Sequence, residues 1–135
     1  MKQIIKIVSD RLKTAGGTLI NDAVTGRIYL DESPADVACP MIVWTIGKLK
    51  REKSFNSISY TGTIEFLIMT DRISADNAYL YADKLKVTID NWSGNNATDT
   101  SRVFLTKTDA GVPLFDADIW TITETYSLLA FLSSD

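Results

Sequence analysis

The sequence predicts an α+β fold: an antiparallel or mixed β-sheet of about four to five strands with two helices packed on one face, in the order α-β-β-β-α-β-β. Three observations predict it. Residues 2–14 and about 75–91 carry apolar side chains at helical spacing. Short runs rich in β-branched and aromatic residues recur between them, and two of these runs are long and alternate apolar residues with threonine. The strands follow one another through short turns, which favours antiparallel pairing with helices on one sheet face. At 135 residues the chain is sized for a single domain, residues 1–135, with a core that needs no metal or disulfide.

In the first helix Ile4, Ile5, Val8 and Leu12 fall on one face, and Gly16-Gly17 stop it. Leu19, Ile20 and Val24 return toward the core through an irregular link. Residues 27–30 form a short strand, and residues 31–36 a loop with turn chemistry. After Pro40, residues 41–46 read as a buried strand. Residues 58–69 form a long strand with Tyr60, Ile64, Phe66 and Ile68 on one face and Thr61, Thr63 and Glu65 on the other. Between these two strands, an extended β-hairpin arm is expected around 47–59. Ser74 is placed to cap the second helix, whose Ala78, Ala82, Leu85 and Ile89 share a face. Residues 91–99 read as a polar loop, 102–105 as a short strand and 109–111 as a turn. Residues 119–131 form the last strand, with Trp120, Ile122, Tyr126 and Leu128 opposite Thr121, Thr123, Thr125 and Ser127.

Composition excludes several function classes. There is no histidine, so no Ser-His-Asp triad, no Cys-His pair and no histidine metal site can form. Cys39 is the only cysteine, which excludes an intrachain disulfide and a thiolate cluster. The seven glycines make no phosphate loop. The net charge of −3 speaks against wholesale nucleic-acid binding, which needs excess cations to release counterions. The first residues interrupt their apolar run with Lys6 and Asp10, unlike a secretory signal, and no apolar stretch reaches bilayer length. A reducing cytosol with Cys39 as a free thiol is the expected setting, with no membrane partner.

The charge is uneven. Residues 1–53 hold nine Lys or Arg against six Asp or Glu, whereas residues 54–135 hold five against eleven. The basic excess sits at Lys48, Lys50, Arg51 and Lys53, so an acidic body carries one basic tip. That tip is either a solvated hairpin end or a contact for an acidic neighbour. The polar, threonine-rich face with Thr61, Thr63, Glu65, Thr121, Thr123 and Thr125 is either solvated or a lateral contact with a neighbouring subunit.

Catalytic and metal signatures are weak. Residues 90–95 resemble a calcium loop only faintly, because Trp92 stands at a ligand position and Gly94 is out of register. Asp116-Ala117-Asp118 reads as a turn rather than a cation site, and so do Asp31, Glu32 and Asp36. Glu124 shares a face with Trp120, Ile122 and Tyr126, which suits an ion pair or an interface contact better than a tuned acid lacking a second group. No cofactor, metal or catalytic residue is assigned, and no enzyme activity is expected.

The whole pattern resembles the tail terminator, or tail-completion, proteins of long-tailed bacteriophages. The resemblance runs through the N-terminal helix, Gly26-Arg27-Ile28-Tyr29 with Pro34 after it, and Cys39-Pro40-Met41-Ile42-Val43-Trp44. It continues through residues 60–68, the alanine-containing helix and the closing strand. It implies a virion protein that forms a homo-oligomeric ring, commonly a hexamer, on the finished tail tube. Such a ring stops tube growth, docks to the head–tail connector protein and lets DNA pass through its lumen. Its place would be the tail end nearest the head, after assembly in the host cytoplasm. Another head–tail connector or neck subunit, a small carboxylate-based enzyme and a generic protein-binding module are the alternatives.

Overall fold

A computed structural model of the chain describes residues 2–14, 20–34, 38–54, 57–70, 75–95 and 101–132. Helix α1 (Lys2–Thr14) and the short helix α2 (Ile20–Ala23) lead to strands β1 (Ile28–Leu30), β2 (Met41–Ile46), β3 (Lys50–Ser54) and β4 (Ser57–Thr70). Helix α3 (Ala75–Ile89) leads to β5 (Trp92–Asn95), β6 (Arg102–Asp109), β7 (Leu114–Asp116) and β8 (Ile119–Leu132). The strands make one sheet in the order β1-β2-β4-β8-β6-β5, with β3 added to β4 and β7 added to β8. The β1–β2 pair is parallel and the other pairings are antiparallel, so the sheet is mixed.

This corrects the expected strand number and order. The sheet has eight strands rather than four to five. The additional strands are Lys50–Ser54, Trp92–Asn95 and Leu114–Asp116. Their sequences, KREKS, WSGN and LFD, lack a periodic apolar face. They exist because a long neighbouring strand offers unpaired backbone groups, and pairing satisfies both sides whatever the side chains are. The link expected at residues 19–24 contains α2 instead, with Ile20 and Val24 fully buried. In α1 it is Ile7, not Ile5, that joins Ile4, Val8 and Leu12 in the core. Gly16-Gly17, Leu19, Asp36, Ser74 and residues 96–99, each given a role by the sequence, lie outside the described residues.

The chain repeats one plan except at the outermost strands, where β1 is parallel to β2 and β5 is antiparallel to β6. Each half runs from helix to four strands, and in each half two successive strands line one edge of a 14-residue strand. In the first half β2 and then β3 lie along β4; in the second half β6 and then β7 lie along β8. The sheet order is therefore symmetric about the β4–β8 seam. Both edges step over at a glycine that passes a threonine of the long strand. Gly47 donates its N–H to Thr63 O at 2.8 Å, and Gly111 lies against the backbone of Thr123.

All helical packing falls on one face. Ile64, Phe66 and Ile68 of β4 stand beside Tyr126, Glu124 and Ile122 of β8 in direct register. Ala78, Ala82, Leu85 and Ile89 of α3 cover them, joined by Ile4, Val8 and Leu12 of α1. Alanines at two of these positions let α3 lie close to the sheet. Trp44 and Phe66 stack at 6.3 Å between ring centroids, and Phe66 meets Tyr126 edge-on at 5.5 Å. Arg11 ties the layers together. Its Nε donates to Thr88 O at the end of α3 (2.8 Å), and its guanidinium lies 5.5 Å over the Trp92 ring. No helix among the described residues is long and apolar enough to cross a membrane.

The β7–β8 hairpin closes through Ala117 and Asp118, both at positive φ (50° and 65°), with Asp116 paired to Ile119. That is a two-residue turn of the type that prefers Asn-Gly. Ala117→Asn should therefore raise stability by about 0.5–1 kcal/mol, because alanine is strained in the left-handed region. Gly111→Ala should lower it by about 2 kcal/mol, since an added methyl meets the Thr123 backbone. Urea midpoints at unchanged slope check both.

Candidate interaction surface

The face of the sheet opposite the helices carries no covering element among the described residues. Register decides what it presents. Glu65 pairs with Thr125, Thr63 with Ser127 and Thr61 with Leu129; Leu67 pairs with Thr123 and Met69 with Thr121. All six sequence-selected residues, Thr61, Thr63, Glu65, Thr121, Thr123 and Thr125, therefore share one continuous face. Thr61, Thr63, Glu65 and Thr123 are exposed, whereas Thr121 and Thr125 are half-buried. A depression of about 230 Å³ on this face is lined by Asp31, Val43, Thr45, Glu65, Leu67 and Thr123. Its donors and acceptors are hydroxyls and carboxylates over an apolar floor, a chemistry for hydrogen bonding to another polar surface.

The face has an apolar corner that the threonine pattern did not disclose. Phe104 and Phe131 pack edge-on at 6.1 Å, beside Leu129. Leu129 and Phe131 are 36% and 40% exposed. The signal was present in Leu128-Leu129-Ala130-Phe131-Leu132, where strict alternation gives way to a continuous apolar run. Such a run marks a strand that needs cover on both faces, and here the helices cover only one.

The four selected cations do not form a single patch. Lys50 lies opposite Thr61 on the bare face, with its Nζ 3.5 Å from Glu52 Oε1 in an exposed pair. Arg51 and Lys53 lie opposite Tyr60 and Ile58, on the helix side. Lys48 belongs to the exposed link before β3. The hairpin is bonded into the sheet, because β8 runs beside β4 as far as the Ile58–Leu132 pair. Phe55 and Asn56, at its tip, lie outside the described residues. Among the described residues β3 pairs only with β4, so its outer edge is open and its charges guard it from indiscriminate strand pairing.

Glu124 is not on the surface. It is 1% exposed on the helix side of β8, and Lys107 Nζ lies 3.2 Å from its Oε2. This is ion-pair distance without hydrogen-bond alignment, so Oε2 lacks a properly directed donor. The Tyr126 hydroxyl beside it is buried and has no hydrogen-bond partner among the described residues. Burial first, then the charges of Asp90 and Glu124, holds that hydroxyl well above the usual tyrosine range, so it stays protonated at any physiological pH. Asp90 Oδ1 accepts the Lys107 backbone N–H at 2.8 Å. The arrangement neutralises a buried carboxylate, and Lys107 and Asp90 face an open polar depression of about 360 Å³ that they line with Lys86, Thr108 and Ala110. Among the described residues no group of three acidic or cysteine side chains converges on a point.

No family model and no curated protein matches the chain. Its fold is found in a virion. A chain from a structure described as the virion of a native gene transfer agent particle has a TM-score of 0.73 at 12% identity, covering 97% of this chain and 96% of that one. A second solved chain, whose name states no function, has a TM-score of 0.59 at 15% identity, covering 94% of this chain and 91% of the other. At these identities the likeness is one of fold, and it runs through both halves of the repeat.

The buried pair generates a stability prediction. Lys107→Met leaves Glu124 buried without its cation and should cost about 3 kcal/mol. Lys107→Met with Glu124→Leu should recover most of that loss, because the isolated charge is gone. Tyr126→Phe should be neutral or stabilising, since it deletes a hydroxyl without a partner. Denaturant unfolding of the four proteins checks the set; equal losses in the single and double lysine variants would contradict a paired role for Lys107.

Proposed function

We propose that this chain is a structural subunit of a phage-type virion, and within it a tail terminator that completes the tail. The observation that carries the proposal is the superposition of nearly its whole length on a chain of a gene transfer agent virion. The bare sheet face supports it, since a sheet with one face left uncovered and an apolar corner of Phe104, Leu129 and Phe131 is suited to burial in an assembly. The lack of histidine and of converging acidic groups among the described residues agrees with a role in which no bond is made or broken.

In this role the subunits form a ring, taken as a hexamer, on the tail tube protein, and the opposite rim docks to the head–tail connector protein. The sheet face with Thr61, Thr63, Glu65, Thr121, Thr123 and Thr125 supplies lateral or axial contacts. The acidic body lines a lumen through which DNA slides without adhering, because like charge keeps the phosphates off the wall. The protein then resides at the tail end nearest the head.

Light scattering across a concentration series, alone and with purified tail tubes, tests this. The expected result is a discrete ring, or a fixed number of copies added to one end of each tube, with tube growth halted. A protein that stays monomeric at every concentration and leaves tubes unbound and growing overturns the proposal.

A further inference from the structure

The two ends of the sheet are equivalent in backbone and opposite in charge. The β3–β4 hairpin ends at the start of β4, which pairs with the end of β8. The β7–β8 hairpin ends at the start of β8, which pairs with the end of β4. Thirteen residue steps of extended strand separate Ile119 from Leu132, so the hairpin ends stand about 43 Å apart at roughly 3.3 Å per residue. At one end residues 48–53 hold Lys48, Lys50, Arg51 and Lys53 against the single Glu52. At the other, residues 112–119 hold Asp116 and Asp118 and no cation.

The acidic end is also apolar. Val112, Leu114 and Phe115 are 72%, 66% and 51% exposed, and Phe115 packs on Trp120 at 5.0 Å. Leu114 and Phe115 stand on opposite faces of this hairpin with Asp116 and Asp118 next to them, so an apolar edge carries charge at its tip, a composition suited to an interface. The long stems of lysine and arginine can cover such an edge while their head groups meet the aspartates. Two basic ends repel each other, and so do two acidic ends. A symmetric contact through like ends is therefore disfavoured, and a head-to-tail contact is favoured.

We infer that successive copies of this chain associate head to tail, the basic β3–β4 hairpin of one copy seating on the acidic β7–β8 hairpin of the next. This rests on the ring proposed above and names its lateral contact. The strand directions suit it. The β3 strand runs parallel to β8 and β7 runs parallel to β4, so β3 and β7 are antiparallel. A copy displaced without inversion thus brings its β3 edge against the open β7 edge in the orientation that short strands use to pair. The charges that keep β3 from pairing with another β3 favour this one partner. A heterologous contact of this kind closes into a ring when the rotation between copies divides the circle.

Exchange of charge between the two ends tests the inference. One variant carries Lys50→Glu and Lys53→Glu; the other carries Asp116→Lys and Asp118→Asn, the asparagine keeping a residue tolerant of the left-handed turn. Each alone should assemble at least tenfold more weakly than the unaltered chain, under whichever condition, free or on tubes, supports assembly. Mixed in equal amounts they should assemble again, because each reversed end then meets a complementary one. Circular-dichroism melts establish that both variants are folded. Salt provides a measurement that needs no variant: raising sodium chloride from about 50 to about 500 mM shortens the screening length and should weaken assembly of the unaltered chain. An unaltered chain that forms rings while both variants do so equally well, or whose assembly ignores salt, overturns the head-to-tail contact and leaves the ring standing. Failure of the unaltered chain to assemble in any condition removes the ring and this contact together.

Discussion

Everything in this structure hangs on the pairing of β4 with β8. Two 14-residue strands lie antiparallel in unbroken register from Ile58–Leu132 to Thr70–Trp120. Because side chains alternate across a strand, this one register decides both faces. It sets Ile64, Phe66 and Ile68 beside Tyr126, Glu124 and Ile122 under the helices, and it sets the threonines together on the other side. A slip by one residue would send Phe66 into solvent and Glu65 into the core. The other strands are added to this seam from either side, in an order that repeats from one half of the chain to the other apart from the direction of the outermost strand.

The repeat explains why one sheet can be well packed and still incomplete. Helices α1 and α3 cover one face, with α2 packed against both, and α3 closes over the seam itself. No further helix is available among the described residues for the second face. It is left with hydroxyls in the middle and Phe104, Leu129 and Phe131 at one corner. The same repeat places a hairpin at each end of the seam, and there the two halves differ in charge rather than in path. Backbone symmetry with charge asymmetry gives the subunit a direction, which a unit built to join copies of itself in sequence requires.

The buried Glu124 illustrates how the architecture constrains chemistry. It takes its place in the alternation between Ile122 and Tyr126, and so it is drawn into the core with them. Lys107 reaches it from β6, just before the irregularity between Lys107 and Asp109 that breaks the regular ladder. The pair removes the net charge from the interior but leaves the Tyr126 hydroxyl without a hydrogen-bond partner among the described residues. The carboxylate is sealed in the core while Lys107 reaches it from the rim of an open polar depression, so the pair ties β6 to β8.

Periodicity in the sequence was enough for the elements that bury a face of their own. Helix α1 was legible from Ile4, Val8 and Leu12, helix α3 from Ala78, Ala82, Leu85 and Ile89, and the two long strands from the alternation of apolar residues with threonine. Each of these patterns records a side chain leaving water, and that preference is local to the residue. The short strands β3, β5 and β7 were not legible, because they are held by the backbone of a neighbour distant in sequence, whose position their own residues do not encode. The candidate surface divides in the same way. That Thr61, Thr63 and Glu65 share a side with one another, and Thr121, Thr123 and Thr125 with one another, followed from the two-residue period alone. That both sets lie on the same open face, with the basic and acidic hairpins at its opposite ends, was decided by the β4–β8 register, a long-range pairing that exists only once the chain has folded.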